Sequence, residues 1–596
     1  MASETESPTS TVDARETLTG YLSRTQLAVL GVTVLALVAR FVELGARVAH
    51  QDEARVAYWA YRYMENGVYQ YRSIVHGPFL TIVDARLFEW FGATDFTMRF
   101  VVALIGGLLP LSALLFRKRL RDSETVAMAL LLAANPLLLY YSRFYRNDLL
   151  LAGFMLVAFG FFVRASDDGR PAYLYAGTAA FALAFTTKEN ALVYPVAWMG
   201  AAALLWDHRL FTGRAGDRGL LVTVWNDLEA RAGGLRRWVP HVALAIFEFF
   251  AIVVFFYAPR NTHQLPNNDT PGLYEALGDP TLLPAVVWEA TYGSWTEFVG
   301  QWGGGNEESY LGALEALWPV LMAGGAVVFA LAILGFLVDR YDGALPRDAV
   351  SFGAYWGFAS LLGYPVIVDN PFPWEVIHVV VPLVIPAAVG LAFVARLGLD
   401  SIADEDAVSA TAAALVLLVL AAQVGATAVD TSYVDPQGDD NELVQYAQSS
   451  SEMKGVLAEV RDASQSNDGI DVLFFGKEPD DDTFYAPNPD SHDVPPAGSG
   501  WFARLPFAWY FETYDAQTDS VDRAELVEDA VNGPDRPPVV VTFGNANTCA
   551  EDYDNADDID EYMDGYDRHE VQRYLHDSGC TISTTVIYVD RNATQG

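Results

Sequence analysis

Lysine and cysteine are scarce in this chain of 596 residues. Only four of its 37 basic residues are lysine, whereas 75 residues are Asp or Glu, so the formal net charge is −38. A chain this acidic repels phosphate, which excludes a nucleic-acid-binding protein. The two cysteines, Cys549 and Cys580, cannot build a disulfide scaffold, although they could pair with each other or remain buried thiols.

Charged residues as a whole are also few. They make up 19% of the chain, against roughly 25% in an average soluble protein, while 52% of the residues are hydrophobic. This composition excludes a disordered protein. The excess of carboxylates with almost no lysine resembles proteins of salt-loving archaea, in which concentrated salt screens the repulsion between like charges.

The hydrophobic residues are concentrated in long runs. A membrane-spanning helix needs about 20 apolar residues, and eleven runs approach that length. They are Gln26–Leu44, Met98–Phe116, Thr125–Tyr141, Leu149–Val163, Ala172–Thr187, Ala191–Trp206, His241–Tyr257, Leu314–Val338, Ala349–Val368, Val376–Ala395 and Ala407–Val429. The sequence therefore predicts a polytopic α-helical membrane protein with about 11 membrane helices.

Basic residues set the orientation of these spans. Arg117–Arg121 follows the second span and an arginine-rich loop, 207–237, follows the sixth. The positive-inside rule places both loops in the cytoplasm. The odd number of spans then places the C-terminal tail outside the cell membrane, together with loops 45–97, 142–148, 188–190, 258–313 and 369–375.

The last 167 residues, from Asp430, hold 36 acidic and 9 basic residues. They alternate strand-like segments (471–475, 538–543, 582–589) with helical patterns (452–461, 523–531, 558–576). Such alternation predicts a small α/β domain. The predicted domains are a disordered tail at 1–20, a membrane domain at 21–430 and an acidic extracytoplasmic α/β domain at 431–596.

Two adjacent carboxylates, Asp52 and Glu53, directly follow the first span. Carboxylates at a membrane boundary are costly unless they are used or paired. Asp52 is also a suitable N-cap, and Asn66-Gly67 a suitable end, for a helix between them. A cap position directs its side chain out of the helix end, so capping and catalysis are compatible.

This pair opens a longer series of motifs in the first exterior loop. The series is Asp52-Glu53-Ala54-Arg55, Tyr63–Gly67, His76-Gly77-Pro78, Phe91–Phe96 and Arg99-Phe100. It resembles the first lumenal loop of GT-C glycosyltransferases, namely dolichyl-phosphate-mannose–protein mannosyltransferases and lipid A aminoarabinose transferases. More narrowly, it resembles archaeal flippase-activity-associated membrane proteins linked to N-glycosylation. The resemblance covers roughly residues 20–430 and implies a GT-C-like fold.

Enzymes of these families transfer a sugar from a polyprenyl phosphate to an acceptor on the outer face. The resemblance implies that Asp52 is the general base, because a positioned carboxylate can take the proton of the attacking hydroxyl. Glu53 would orient the acceptor or a cation, and Arg55 would contact substrate. His76 stands where the aminoarabinose transferases have Lys-Pro-Pro; it could donate a hydrogen bond to substrate or be a structural loop histidine.

The second exterior segment contains Arg143, Arg146 and Asp148. It resembles the second acidic site of the same families. The two guanidinium groups could clamp a lipid phosphate, and Asp148 could hold one of them or assist Asp52. Alternatively, the arginines extend to the interface and pair with Asp148.

Two further segments complete the candidate site. Lys188 is the only lysine in the predicted exterior membrane loops, and it would bind phosphate or pair with Glu189. Glu375 and His378 lie in a proline-rich segment that resembles a late exterior motif of the transferases. They share a helix face and could contact sugar or phosphate, or His378 could be a core histidine. A zinc site is not indicated because no third ligand is evident.

The sequence thus favours a membrane glycosyltransferase whose partners are a polyprenyl-phosphate-linked sugar, a glycan, lipid or glycoprotein acceptor, the lipid bilayer and, through the resemblance, a flippase. No cofactor is predicted, although a divalent metal is left open. The alternative is a non-catalytic accessory protein that assists the flipping of lipid-linked glycans. A solute transporter ranks last, because transporters place polar groups at mid-membrane and this chain has them at span ends.

Overall fold

The computed structural model describes residues 22–211, 220–261, 270–302, 309–342, 346–367, 371–438, 440–445, 447–477, 483–486, 500–544, 555–574 and 584–593. The predicted tail at 1–20, Cys549 and Cys580 lie outside these residues, as does Asp369-Asn370 of the late exterior motif.

Helices make up most of the described chain up to residue 434. The α-helices are α1 (Arg24–Phe41), α2 (Gln51–Asn66), α3 (Phe79–Phe91), α4 (Asp95–Leu108), α5 (Asp122–Ala134), α6 (Pro136–Tyr141), α7 (Asn147–Asp168), α8 (Pro171–Phe185), α9 (Val193–Phe211), α10 (Leu220–Tyr257), α11 (Leu273–Gly278), α12 (Leu283–Trp288), α13 (Ser294–Trp302), α14 (Tyr310–Val320), α15 (Ala326–Tyr341), α16 (Asp348–Ile367), α17 (Ile377–Ala403) and α18 (Ala407–Val429). Short 3₁₀ helices include Leu109–Phe116, which prolongs α4, Glu189–Leu192 and Pro373–Val376.

The predicted membrane spans agree with most of these helices. Within the described residues, eight helices are long and apolar enough to cross a membrane: Arg24–Phe41, Asp95–Phe116, Asn147–Asp168, Arg236–Tyr257, Tyr310–Tyr341, Asp348–Ile367, Pro373–Ala403 and Ala407–Val434. The other three predicted spans coincide with the broken pair α5 and α6, with the shorter apolar helix α8, and with α9. The chain is a multi-pass membrane protein, and the number of eleven spans stays a prediction.

α17 lies at the centre of the bundle and α18 at its edge. The span that contains α17 is 89% buried, whereas the span that contains α18 is 11% buried. Gly335 on α15 and Gly390 on α17 let these helices approach closely, because a Cβ at Gly335 would meet the Pro386 carbonyl oxygen at 1.9 Å. A central helix fixed in this way holds its first residues, which include His378, at one end of the bundle.

A five-stranded sheet forms the core of the C-terminal domain. Its strands are β1 (Val472–Phe475), β2 (Thr518–Val521), β3 (Val539–Phe543), β4 (Tyr566–Gln572) and β5 (Thr584–Asp590), in the order β2-β1-β3-β5-β4. β1 pairs in parallel with β2 and β3, whereas β5 runs antiparallel to β3 and β4. Helices α19 (Met453–Ser464), α20 (Phe507–Thr513) and α21 (Ala524–Val531) complete the predicted α/β domain.

One helix predicted in this domain is wrong. The segment 558–576 contains strand β4, which pairs along seven residues with β5. Only Tyr566 and Val571 of this strand are buried, and the charged residues between them are partly or fully exposed. Charged side chains are common on edge strands, where they prevent aggregation, and they gave the segment its helix-like pattern.

The C-terminal domain packs against the membrane portion at the loop before α2. Asp95, the first residue of α4, accepts hydrogen bonds from Trp509 Nε1 (3.3 Å) and Tyr510 Oη (3.1 Å), and forms an ion pair with Lys454 Nζ (2.7 Å). The Ala49 amide in turn donates to Tyr510 Oη at 2.7 Å. The C-terminal domain therefore contacts and stabilises the backbone that precedes Asp52 and Glu53.

We predict that Asp95→Ala lowers the free energy of unfolding by about 2 kcal/mol, because it leaves buried donors of Trp509 and Tyr510 without an acceptor. Unfolding in denaturing detergent, followed by tryptophan fluorescence, measures the change. Asp122→Ala is the matched control, since Asp122 is also the first residue of a helix but is exposed. Equal destabilisation by both substitutions would contradict the docking role of Asp95.

Candidate active site

Helix α2 begins with a cap that the sequence did not predict. His50, rather than Asp52, is the N-cap: its Nδ1 accepts a hydrogen bond from the Asp52 amide at 2.9 Å. Asp52 occupies the second helical position, so its carboxylate is not used for capping. The predicted end of the helix is confirmed, because Gly67 has a φ of 66°, the left-handed conformation that glycine adopts without strain.

Glu53 is completely buried and fully hydrogen-bonded. Its Oε1 accepts from Arg47 Nη2 (2.9 Å), Arg99 Nε (2.8 Å) and the Tyr145 amide (2.6 Å). Its Oε2 accepts from Arg99 Nη2 (2.8 Å) and the His50 amide (2.9 Å). Burial raises the pKa of Glu53, but the two arginines outweigh it and hold this pKa below its ordinary value. Glu53 therefore organises the site and has no oxygen left for a substrate.

Asp52 is accessible, unlike Glu53, with 16% of its side chain exposed. Its Oδ2 accepts from Arg146 Nη1 at 2.7 Å, and its Oδ1 lies 2.9 Å from Arg55 Nη2. Burial raises the pKa of Asp52, whereas Arg146 and then Arg55 lower it, and the net result is a pKa below the ordinary value. Asp52 is thus an ionised, partly buried carboxylate that shares the Arg146 guanidinium group with Asp148.

A second buried carboxylate cluster lies beside it. Asp148 Oδ1 accepts from Lys188 Nζ at 2.8 Å and lies 3.2 Å from His378 Nε2, while Oδ2 lies 3.5 Å from Arg146 Nε. Glu375 Oε1 lies 3.7 Å from Lys188 Nζ. Because Arg146 contacts both Asp52 and Asp148, it joins the two acidic positions of the site into one network.

Asp148 selects the tautomer of His378, because its carboxylate oxygen can only accept a hydrogen bond from Nε2. The Tyr194 hydroxyl lies 2.6 Å from His378 Nδ1. A proton on Nε2 lets the ring donate to Asp148 and accept from Tyr194 at the same time. The fully buried His378 is therefore both a core histidine and a member of the site, which the sequence left as alternatives.

The His76-Gly77-Pro78 motif positions Lys188. The Gly77 amide donates to the Thr187 carbonyl at 3.1 Å, and a Cβ at Gly77 would lie 2.5 Å from Thr187 atoms. Only glycine permits this close approach. Glu189 lies 3.7 Å from His76 Nδ1 and accepts from the Tyr71 hydroxyl at 2.6 Å, so the alternative pairing of Lys188 with Glu189 is not the one observed.

Arg143 lies apart from the other candidates. Its guanidinium group donates to backbone carbonyls at the end of α1, including those of Arg40 (3.1 Å) and Glu43 (3.1 Å), and its Cζ lies 4.5 Å from the centre of the Tyr433 ring. Among the described residues, no hydrogen bond or ion pair joins Arg143 to Asp52. Its guanidinium group satisfies the last carbonyl groups of the first membrane helix, as basic side chains near helix C-termini often do.

Sequence reasoning assigned no site role to three residues that shape the site. Arg47 and Arg99 bind Glu53, and the buried Trp374 has Arg146 Cζ 3.7 Å above the centre of its ring. Arg99 stands within an apolar run, where a lone charge requires a partner, and it also belongs to the motif series of the first exterior loop. Trp374 gave no signal beyond its position beside Glu375.

Three side chains come together in a way that could hold a metal ion. Ligand atoms of Asp148, Glu375 and His378 all lie within 4.8 Å of one another. The sequence-based statement that no third ligand is evident is therefore wrong, because Asp148 comes from a segment more than 200 residues away. The Lys188 ammonium group already lies against both carboxylates, and it would compete with a cation for the same oxygens.

Two parts of the chain match known protein families. Residues 75–223 match the model of the dolichyl-phosphate-mannose-protein mannosyltransferases. Residues 453–590 match the model of the Agl23 flippase-associated protein C-terminal domain. The predicted family resemblance is confirmed. No curated protein sequence matches the chain significantly.

The solved structures of ArnT share the fold of this chain. ArnT from Cupriavidus metallidurans bound to undecaprenyl phosphate has a TM-score of 0.53 and 16% identity, over 96% of this chain and 100% of that chain. Its apo state gives 0.52, with the same identity and coverage. The archaeal oligosaccharyltransferase AglB from Archaeoglobus fulgidus, in complex with an inhibitory peptide and a dolichol-phosphate, has a TM-score of 0.47 and 13% identity, over 91% and 72% of the two chains. The likeness to ArnT confirms the predicted GT-C fold.

We predict that the buried histidines make the protein sensitive to mild acid. Burial lowers the pKa of His50 and that of His76 to about 4, below the value of about 6.5 in an unfolded chain. The unfolded chain therefore binds protons first as the pH falls, so the stability contribution is complete above about pH 6.5 and is lost towards pH 4. His50→Asn, which keeps a capping side chain, should reduce the fall in Tm between pH 7 and pH 4.

His569→Asn is the control for this measurement, because His569 lies in the sheet and 27% of its side chain is exposed. An unchanged dependence of Tm on pH in His50→Asn would show that the buried imidazole does not set the acid sensitivity.

Proposed function

We propose that this protein is a membrane glycosyltransferase that moves a sugar from a polyprenyl-phosphate donor to an acceptor hydroxyl. The proposal rests on Asp52, which is an accessible carboxylate at the end of the bundle. The hydrogen bonds of its neighbour Glu53 fix its position. Asp52 also pairs with Arg146, whose guanidinium group is well suited to bind phosphate. The match to the mannosyltransferase family supports this function. The undecaprenyl phosphate bound by ArnT, which has the same fold, supports a lipid-linked donor.

Arg146 would couple donor binding to the basicity of Asp52. In the structure this guanidinium group is divided between Asp52 and Asp148 and lies on the face of Trp374. An incoming phosphate offers further oxygens to the same donors. As Arg146 turns towards phosphate, its effect on Asp52 weakens, and the pKa of Asp52 rises towards a value suited to a general base.

The proposed transfer is a single displacement that inverts the configuration of the anomeric carbon. Asp52 takes the proton of the acceptor hydroxyl, whose oxygen forms a bond to the anomeric carbon. The bond between that carbon and the phosphate oxygen breaks, and its electron pair leaves with the phosphate. Arg146 and Lys188 stabilise the departing charge, since fixed cations at a developing charge lower the barrier. Asp148 contacts both of these cations and holds them together.

We propose the finer assignments on the strength of the family match and the predicted topology. The sugar is a hexose such as mannose, the acceptor is a glycan, lipid or glycoprotein, and transfer occurs on the extracytoplasmic face. Asp52 and Glu53 lie on the same end of the bundle as the acidic C-terminal domain, which would present the acceptor or a flippase partner. In this proposal the Lys188 ammonium group occupies the position beside Asp148 where a divalent metal would otherwise bind.

A second candidate is an accessory role in flipping lipid-linked glycans. The match of residues 453–590 to a flippase-associated C-terminal domain favours it. In that case the carboxylates and arginines would bind the lipid phosphate without transferring its sugar. The two functions differ in one measurable respect, namely the appearance of glycosylated acceptor in a purified system.

Asp52→Asn should reduce sugar transfer at least 100-fold, because a general base typically contributes a factor of 10²–10⁴. The assay uses purified protein in vesicles that contain a polyprenyl-phosphate hexose, with glycosylated products measured by mass spectrometry. Glu65→Gln is the matched control, since Glu65 is an exposed carboxylate on the same helix. It should leave transfer unchanged.

The outcomes separate the two candidates. Transfer by the wild type that survives in Asp52→Asn would exclude Asp52 as the base. No transfer by the wild type, together with movement of lipid-linked glycan across the vesicle membrane, would favour the accessory role.

A further inference from the structure

The end of the bundle opposite Asp52 contains a cavity of about 250 Å³. It lies where the chain turns between α4 and α5, at the C-terminal end of α15 and beside the middle of α17. Its charged lining residues are the basic Lys118, Arg119, Arg121, Arg347 and Arg396 and the acidic Glu124, Asp339 and Asp342. Since Lys118 and Arg119 belong to the loop that the positive-inside rule assigns to the cytoplasm, the cavity opens towards that side.

One buried carboxylate in this cavity faces three guanidinium groups. Glu124, whose side chain is fully buried, lies 2.5 Å from Arg347 Nη1, 3.4 Å from Arg396 Nη1 and 3.9 Å from Arg121 Nε. Arg347 is also paired with Asp339 at 2.5 Å. A single carboxylate cannot satisfy three guanidinium forks, because each fork carries five donors. Arg121 and Arg396 therefore keep donors that Glu124 does not occupy.

The other cations of the lining are neutralised elsewhere. Arg119 Nε donates to Asp167 at 3.0 Å, and Lys118 forms an ion pair with Asp168. The lining as a whole has five basic and three acidic side chains. The remaining lining charges balance, with Arg121, Arg347 and Arg396 against Glu124, Asp339 and Asp342. Arg347 is engaged by Glu124 and Asp339, and Arg396 Nη1 also donates to Ser123 Oγ at 3.1 Å, so the donors left for a ligand are the remaining N–H groups of Arg121 and Arg396.

We propose that this cavity binds a phosphate group, supplied by the headgroup of an anionic membrane lipid. Guanidinium forks match phosphate oxygens and form charge-assisted hydrogen bonds with them. Basic pockets between membrane helices on the cytoplasmic side bind phospholipid headgroups. The volume is many times the 10–15 Å³ that one water needs, so a hydrated phosphate group fits. The site does not depend on the proposed transfer reaction, because it lies at the other end of the bundle.

The test measures phosphate-dependent stabilisation of the full-length protein in neutral detergent. A ligand that binds only the folded state raises Tm as its concentration increases, so a titration yields an apparent Kd. The probes are phosphatidylglycerol, phosphatidylcholine as a phosphate lipid without net charge, and inorganic phosphate. The wild type should respond to phosphatidylglycerol and much less to phosphatidylcholine.

The variants are Arg396→Gln and Arg121→Gln, measured separately. Each substitution should raise the apparent Kd for phosphatidylglycerol about tenfold or more, as expected for one lost charge-assisted hydrogen bond. Arg121→Gln should fold even if Arg396→Gln does not, because 60% of the Arg121 side chain is exposed. Arg117→Gln is the matched control: Arg117 is an exposed residue of the same loop that does not line the cavity.

The outcomes distinguish the source of the phosphate. A response to phosphatidylglycerol alone supports a lipid headgroup, whereas an equal response to inorganic phosphate supports a site for the free anion. No rise in Tm with either probe would overturn the proposal. It would also be overturned if Arg121→Gln kept the wild-type Kd or if Arg117→Gln weakened it as much.

Discussion

The burial of Glu53 between Arg47 and Arg99 is the interaction on which the rest of the site depends. Its five hydrogen bonds tie the start of α2 to α4 and to the backbone of Tyr145. A buried charge is tolerable only while its partners are in place, and removing one partner typically costs about 3–5 kcal/mol. Asp52, one residue earlier, therefore has a fixed backbone position and directs its carboxylate towards Arg146.

The same constraint explains why the C-terminal domain packs where it does. Arg47 Nη1 donates to Gln448 at 2.6 Å, and Gln448 Nε2 donates to the Val48 carbonyl at 3.2 Å. Tyr510 binds Ala49 on the other side of this loop. In the proposed function the C-terminal domain presents the acceptor. The same domain stabilises the backbone that carries Asp52, so one set of contacts positions both the acceptor and the general base.

The sequence was most informative where a single chemical pattern sufficed. Apolar run length predicted the membrane helices, the cost of carboxylates at a membrane boundary pointed to Asp52 and Glu53, and the family resemblance pointed to Asp148. Partners that are distant in sequence could not be predicted, because nothing local connects Asp148 with His378 or Glu53 with Arg99. Short-range chemistry also misled: Asp52 fits a cap, but the His50 side chain caps α2, and the charged strand β4 reads as a helix.

A structure determined by electron cryo-microscopy with bound polyprenyl phosphate tests the central claim most directly. The account predicts that the phosphate lies between Arg146 and Lys188, and that Arg146 has moved from Asp52 to the phosphate while Glu53 keeps both of its arginines. Phosphate bound elsewhere, with the contact of 2.7 Å between Arg146 and Asp52 unchanged, would contradict it.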